Sequence, residues 1–166
     1  GTFRQGAELQ GEAGPYSYYL FGQHFDTDGY RENSALSARD ANMRLCFTPF
    51  DRLSLDLSTG WHDDDYRQPG GLNQAELDQY GRRGSANQDD YASSKDRFIQ
   101  VSAAVTPLVP FFDYVGTISV ETFYKNRDTY AWFDYGSSGA TATKYMINGG
   151  GVSAKSGGAT SGVWRC

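Results

Sequence analysis

At 166 residues the chain is long enough for one domain, and its make-up is unusual: 15% aromatic residues and 20 glycines, yet only 39% hydrophobic residues and a mean hydropathy of -0.60. Aromatics spread thinly among glycines suit a β-protein, whereas a helical protein needs stripes of leucine and alanine at 3.6-residue spacing, and none is found. The net charge of -5 argues against a nucleic-acid partner, because phosphate binding needs a basic surface.

No signal-peptide pattern is read at the start, and no apolar run of roughly 18 residues exists, so no transmembrane helix is expected. A membrane barrel stays open, since its strands are about 10 residues of alternating hydrophobicity. The two cysteines, Cys46 and Cys166, lack the spacing of a metal site. Cys46 reads as a small strand residue.

Residues 1–14 alternate Phe3, Ala7, Leu9 and Ala13 with Arg4, Glu8, Gln10 and Glu12, a strand with one charged face. Gly14-Pro15 is a turn. Residues 16–25 form an aromatic strand of uncertain facing, and 26–37 a polar loop. From 39 to 62 runs a hairpin. Ala41, Met43, Leu45 and Phe47 share one face before a turn at 48–52; Leu53, Leu55, Leu57 and Trp61 share it after the turn. Asn42, Arg44, Cys46, Ser54, Asp56, Ser58 and His62 take the other face. Pro49 sits in the turn, where it costs no ladder hydrogen bond.

A long loop is expected at 63–94, with a short helical piece at 75–80. A strand follows at 95–106, with Ile99, Val101, Ala103 and Val105 on one face. After a connection at 107–113, a strand at 115–125 sets Ile118, Val120, Thr122 and Tyr124 against Thr117, Ser119 and Glu121. The aromatic stretch 126–135 extends it beyond a membrane surface. A Gly/Ser turn at 136–142 and a Gly-rich strand at 143–153 complete the expected order. The connections thus alternate short and long. That is the layout of an outer-membrane barrel, with short inner turns and long outer loops. The polar face then lines a wet lumen, and the apolar face meets lipid, with Trp61, Tyr124, Trp132 and Phe133 near an interface.

Three stretches resemble TonB-dependent outer-membrane receptors. Residues 25–34 (FDTDGYRENS) resemble the first long outer loop, 66–77 (YRQPGGLNQAEL) a later outer loop, and 47–53 (FTPFDRL) an inner turn. The resemblance runs in order from about Tyr16 to Tyr124. It implies a barrel of about 22 strands with a plugged lumen, importing iron chelates, cobalamin or other scarce nutrients on energy passed through TonB. The chain departs from that pattern. It has room for about seven strands, no plug, no TonB-contacting N-terminal segment, and an off-pattern end at Ser161-Gly162-Val163-Trp164-Arg165-Cys166.

The expected fold is therefore all-β: an antiparallel up-and-down meander, part of a transmembrane β-barrel. Residues 1–153 would be the barrel segment and 154–166 a poorly ordered tail. Expected partners are outer-membrane lipid and an iron chelate or similar small molecule, with TonB reached only through absent N-terminal regions. The expected location is the outer membrane of a Gram-negative bacterium.

Candidate ligand contacts are Tyr30, Arg31, Tyr66, Arg67, Arg82, Arg83 and Tyr91, all placed in outer loops. Arginine matches carboxylate or catecholate oxygens in a bidentate fork, and tyrosine stacks on planar ligands. His62-Asp63-Asp64-Asp65 lacks the spacing of a calcium loop and reads as a solvated loop tip. His24 and His62 could pair on iron only if brought together. No nucleophile elbow, carboxylate pair in an apolar pocket or phosphate loop is found, so neither catalysis nor a cofactor or metal is expected. The rival reading is a soluble or secreted β-sandwich or small barrel that binds a partner or carbohydrate through Tyr-rich loops.

Overall fold

In the computed structural model, which describes residues 1–106, 116–134 and 139–158, the alternation around Pro49 produces a hairpin of β3 (Leu36–Phe50) and β4 (Leu53–Arg67). Its two-residue turn is Asp51-Arg52. The strand thus runs through the expected turn at 48–52, and the register shifts between Phe47 and Phe50. Pro49 cannot donate to the ladder, so the chain bulges there and resumes pairing afterwards.

The other elements are β1 (Thr2–Ala13), β2 (Tyr16–Thr27), a short helix α1 (Gln74–Tyr80), β5 (Tyr91–Val105), β6 (Gly116–Asp134) and β7 (Ala140–Gly158). Each strand pairs antiparallel with the next, in the order β1-β2-β3-β4-β5-β6-β7. The fold is an all-β, antiparallel, seven-stranded up-and-down meander. Gly14, at φ 60, turns β1 into β2 ahead of Pro15. Asn73 and Glu76 cap α1 reciprocally, the capping box that starts a helix in an otherwise extended chain.

Directly paired residues share a face, so the registers define two unlike surfaces. One carries the row Leu9, Leu20, Met43, Thr59, Ile99 and Tyr124. Towards the short turns it continues through Leu45, Leu57, Val101 and Thr122, then Tyr16, Phe47, Leu55, Ala103 and Val120. The opposite surface carries Arg4, Glu8, Gln10, Glu12, Asn42, Arg44, Ser54, Asp56, Thr117, Ser119 and Glu121, the set the alternation assigns there. Tyr18 and Leu20 join the apolar face, and Tyr19 and Phe21 the polar one. The aromatics of the polar face fill gaps over glycines: Phe98 covers Gly60, and Phe123 covers Gly151.

Almost nothing is buried. Among the described residues the buried hydrophobics are Cys46 and Ala92, while Leu20, Leu45, Leu55, Ile99, Val101 and Val120 stay exposed. Among the described residues the sheet is one layer thick, with no second layer on its leucine face.

Several expectations are corrected. The strands outrun their expected ends: β4 continues to Arg67, β5 begins at Tyr91 and β6 reaches Asp134. Tyr66, Arg67 and Tyr91 therefore sit at strand ends, and the acidic run 63–65 lies inside β4. The connection between β6 and β7 shrinks to 135–139, so it does not continue the short/long alternation. Part of it, like the connection 107–113, lies outside the described residues. Residues 154–158 pair with β6 as part of β7, so the ordered chain extends past 153; 159–166 lie outside the described residues. Trp132 is far above Tyr124 on the same face, and Phe133 turns to the opposite one. The aromatic pair at the turn end is instead Tyr16 on Phe47, stacked at 4.6 Å. Cys46 is disulfide-bonded and so is not the plain small strand residue expected.

A Cβ on Gly60 would collide with the Phe98 ring and the Asn42 side chain. Gly60→Ala is therefore expected to cost about 1–3 kcal/mol of unfolding free energy. Much of the loss should return in a Phe98→Leu background, as read by denaturant titration.

Candidate functional site

Two polar assemblies stand out, one at the long-loop end and one on the polar face. At the long-loop end, the loop 28–35 folds against the loop 68–90 through side chains that donate to backbone carbonyls. The Arg31 guanidinium reaches Gly70 O at 2.7 Å and Gly84 O at 2.9 and 3.1 Å. Asn33, held at φ 50, places its Nδ2 on the carbonyls of Asn87, Asp90 and Gln68 at 2.7, 3.0 and 3.2 Å. Asparagine tolerates this left-handed backbone better than most residues. The Glu32 amide donates to Arg83 O, and Arg83 returns a bond to Tyr30 O while its guanidinium covers the Tyr30 ring at 5.6 Å.

Behind these contacts, Ser85 and Asp90 are buried. Ser85 Oγ donates to Asn87 O at 2.6 Å, and Asp90 accepts from Asn87 Nδ2 at 2.7 Å and from the Asp134 amide at 2.6 Å. The loops thus form one hydrogen-bonded lobe, tied to the end of β6.

The structure divides the seven candidate residues. Tyr30, Arg31 and Arg83 lie in the seam between the loops, with the Arg31 donors engaged by carbonyls. Arg82 is exposed. Arg67 and Tyr91 come together in a cavity of about 690 Å³ at the outer end of β1 to β5, whose wall also carries Phe3, Asp26, Asp28 and Asp65; Arg67, Tyr91, Asp26 and Asp65 continue the leucine face, and Tyr66, at the cavity's edge, turns its side chain to the opposite face. Arg67 lies over the Tyr91 ring at 5.4 Å, and Tyr91 meets Tyr130 at 5.8 Å. This volume suits a small ligand, which would meet one guanidinium and one phenol beside three carboxylates.

The second assembly was not foreseen in the sequence as a network. On the polar face Arg4 donates to Gln23 at 3.1 Å, and Gln23 to Asp40 at 2.6 Å. His62 faces Asp40 through Nδ1 at 2.6 Å and Asp64 through Nε2 at 3.0 Å. Carboxylates only accept, so both ring nitrogens donate at once when the imidazole is a cation. Asp64 also accepts from the Ser94 amide at 2.8 Å. In the row of His62, Asp96 receives Arg127 through two bonds; lower down, Arg44 meets Asp56 at 2.7 Å. The one available signal was the spacing of charges at every second residue of β3, β4 and β6.

His24 and His62 lie on opposite faces, which excludes their joint ligation of one metal ion. Among the described residues no group of three His, Cys, Asp or Glu side chains is placed to hold a metal. Comparison with known protein families, curated proteins and solved structures found no match.

Arg31→Lys keeps the charge but loses the fork. It is expected to speed amide hydrogen exchange in 69–87 by about tenfold, from the loss of hydrogen bonds worth about 1–3 kcal/mol, while the strand cores of β3 and β4 keep their protection.

Proposed function

We propose that the chain is a segment of an outer-membrane β-barrel of the TonB-dependent receptor kind, in which outer loops capture an iron chelate or similar scarce nutrient for passage through a polar lumen. The observation that carries the membrane part is the uncovered apolar band. From Leu53 to Trp61 it climbs about 27 Å along β4, somewhat less with the tilt of a barrel strand, close to the height of about 25 Å that a lipid-facing band needs. Aromatics stand at both borders: Tyr16 and Phe47 towards the turns, Trp61 and Tyr124 above. Such borders suit the two membrane interfaces.

The polar network on the other face suits a wet lumen wall. The two-residue turns at 14–15 and 51–52 lie at the end opposite the interlocked loops, as barrel turns and outer loops do. A sandwich would need a second sheet against Leu55, Leu57, Val101 and Val120, and the described residues supply one layer. The receptor kind and its cargo rest on the three loop resemblances, and the cavity of Arg67 and Tyr91, which opens at the outer rim on the side that continues the leucine face and not on the lumen wall, is the proposed capture site.

The full chain is expected in the membrane fraction and soluble only with detergent; a detergent-free soluble chain would end this reading. Leu57→Arg, at mid-band, should cost about 2–4 kcal/mol of stability in bilayers, while Ser58→Arg, one residue away on the lumen face, should cost far less. For the capture site, Arg67→Ala is expected to weaken binding of a ferric catecholate by about tenfold, and unchanged affinity would remove Arg67 from it.

A further inference from the structure

The apolar band is not smooth. A groove of about 610 Å³ opens across β1 to β5, between a row of large side chains and a row of small ones. Leu9, Leu20 and Met43 form the lower row; Ala7, Gly22 and Ala41, one step up on the same strands and face, leave the gap. Trp61 and Arg97, cross-strand partners, close the end at β4 and β5.

The charges at its rim are unevenly matched. On the polar face Arg44 and Arg127 are paired to carboxylates. On the apolar face Lys95 has Asp63 at 3.8 Å and is paired in register with Asp128, so its charge is offset internally. Arg97 stands at the rim, and Arg39 follows two residues above Ala41 on the same face. Both are exposed; Arg39 has Asp63 opposite it in register and Asp26 nearby on the same face, whereas Arg97 stands between Trp61 and Asn126, with no carboxylate directly opposite it. A guanidinium presents a planar fork that matches phosphate oxygens.

We infer that this groove is a binding site for a phosphate-bearing anionic membrane lipid, with an acyl chain over Ala7, Gly22 and Ala41 and the phosphate at Arg97. The occupant follows from the two chemistries that meet there. A bare apolar gap takes any acyl chain, whereas the guanidinium of Arg97 at its upper border, with no carboxylate opposite it, selects a negative headgroup. The inference rests on the proposed membrane location of the sheet and deepens it by naming a preferred lipid.

Trp61 at the groove supplies the reporter. The full chain, with Trp132→Phe and Trp164→Phe, is reconstituted in phosphatidylcholine vesicles containing either phosphatidylglycerol or phosphatidylcholine with brominated acyl chains. Brominated phosphatidylglycerol is expected to quench Trp61 with an association constant about fivefold higher than brominated phosphatidylcholine, the selectivity one basic side chain near an anionic surface confers. In R97Q the two lipids should quench alike. Ala41→Phe keeps the charge but fills the gap, and should also abolish the preference.

Equal quenching in the unsubstituted protein would overturn the lipid site while leaving the membrane location intact. A preference that survives Ala41→Phe would reduce it to general charge attraction and overturn the groove. Quenching by neither lipid would overturn both the site and the membrane location.

Discussion

The ladder hydrogen bonds of seven consecutive strands satisfy the strand backbone, but they leave an apolar surface with no partner among the described residues. Folding of a domain is driven mainly by removing apolar area from water. Here Leu9, Leu20, Leu45, Leu55, Ile99, Val101 and Val120 remain exposed on one side of a single layer, and the few buried hydrophobics cannot make a core. On the proposed reading the missing burial would come from a bilayer, without a second sheet. The same reading would account for an opposite side lined with Arg44, Asp56, Asp40 and His62, charges that need a wet or mutually paired setting.

The same constraint divides the strands along their length. Below Trp61 the two faces differ. Above it both are polar: Asp63 and Asp65 on one side, His62 and Asp64 on the other. The backbone ladder nevertheless continues, because cross-strand pairing needs no hydrophobic face when water covers both sides. That extension lifts the loops away from the apolar band. There Arg31 and Asn33 knit them into a lobe through carbonyls far apart in sequence. The loops are thus ordered by polar contacts at their roots, above the cavity that gathers Arg67 and Tyr91.

Facing was legible in the sequence wherever hydrophobic alternation existed, as in 53–61 and 99–105, because period two assigns sides without knowing where a strand ends. Strand ends were not legible. Residues 62–67 and 126–134 carry polar or aromatic groups on both sides, so alternation vanishes while pairing persists, and polar strands read as loops. The roles of Arg31 and Asn33 were hidden for another reason. They depend on carbonyls about 35 to 57 residues away, which carry no side-chain signal. The helix at 74–80 was visible in outline, since Asn73 and Glu76 form a local capping pattern. The Asp40–His62–Asp64 arrangement needed the register of β3 on β4, which no single strand reveals.

β1 and β7 keep edges not paired with each other among the described residues, and open edges of this length recruit further strands. In a barrel those strands are the rest of the wall. Whether the leucine face meets lipid is tested most directly by a nitroxide scan of positions 53–61 on the full chain in bilayers, comparing access to oxygen with access to a water-soluble nickel chelate. A lipid-facing band predicts period-two alternation, with oxygen favoured at Leu55 and Leu57 and the nickel chelate at Asp56 and Ser58. Shielding of Leu55 and Leu57 from both reagents, as inside a packed core, or free access of the nickel chelate to all four, would contradict it.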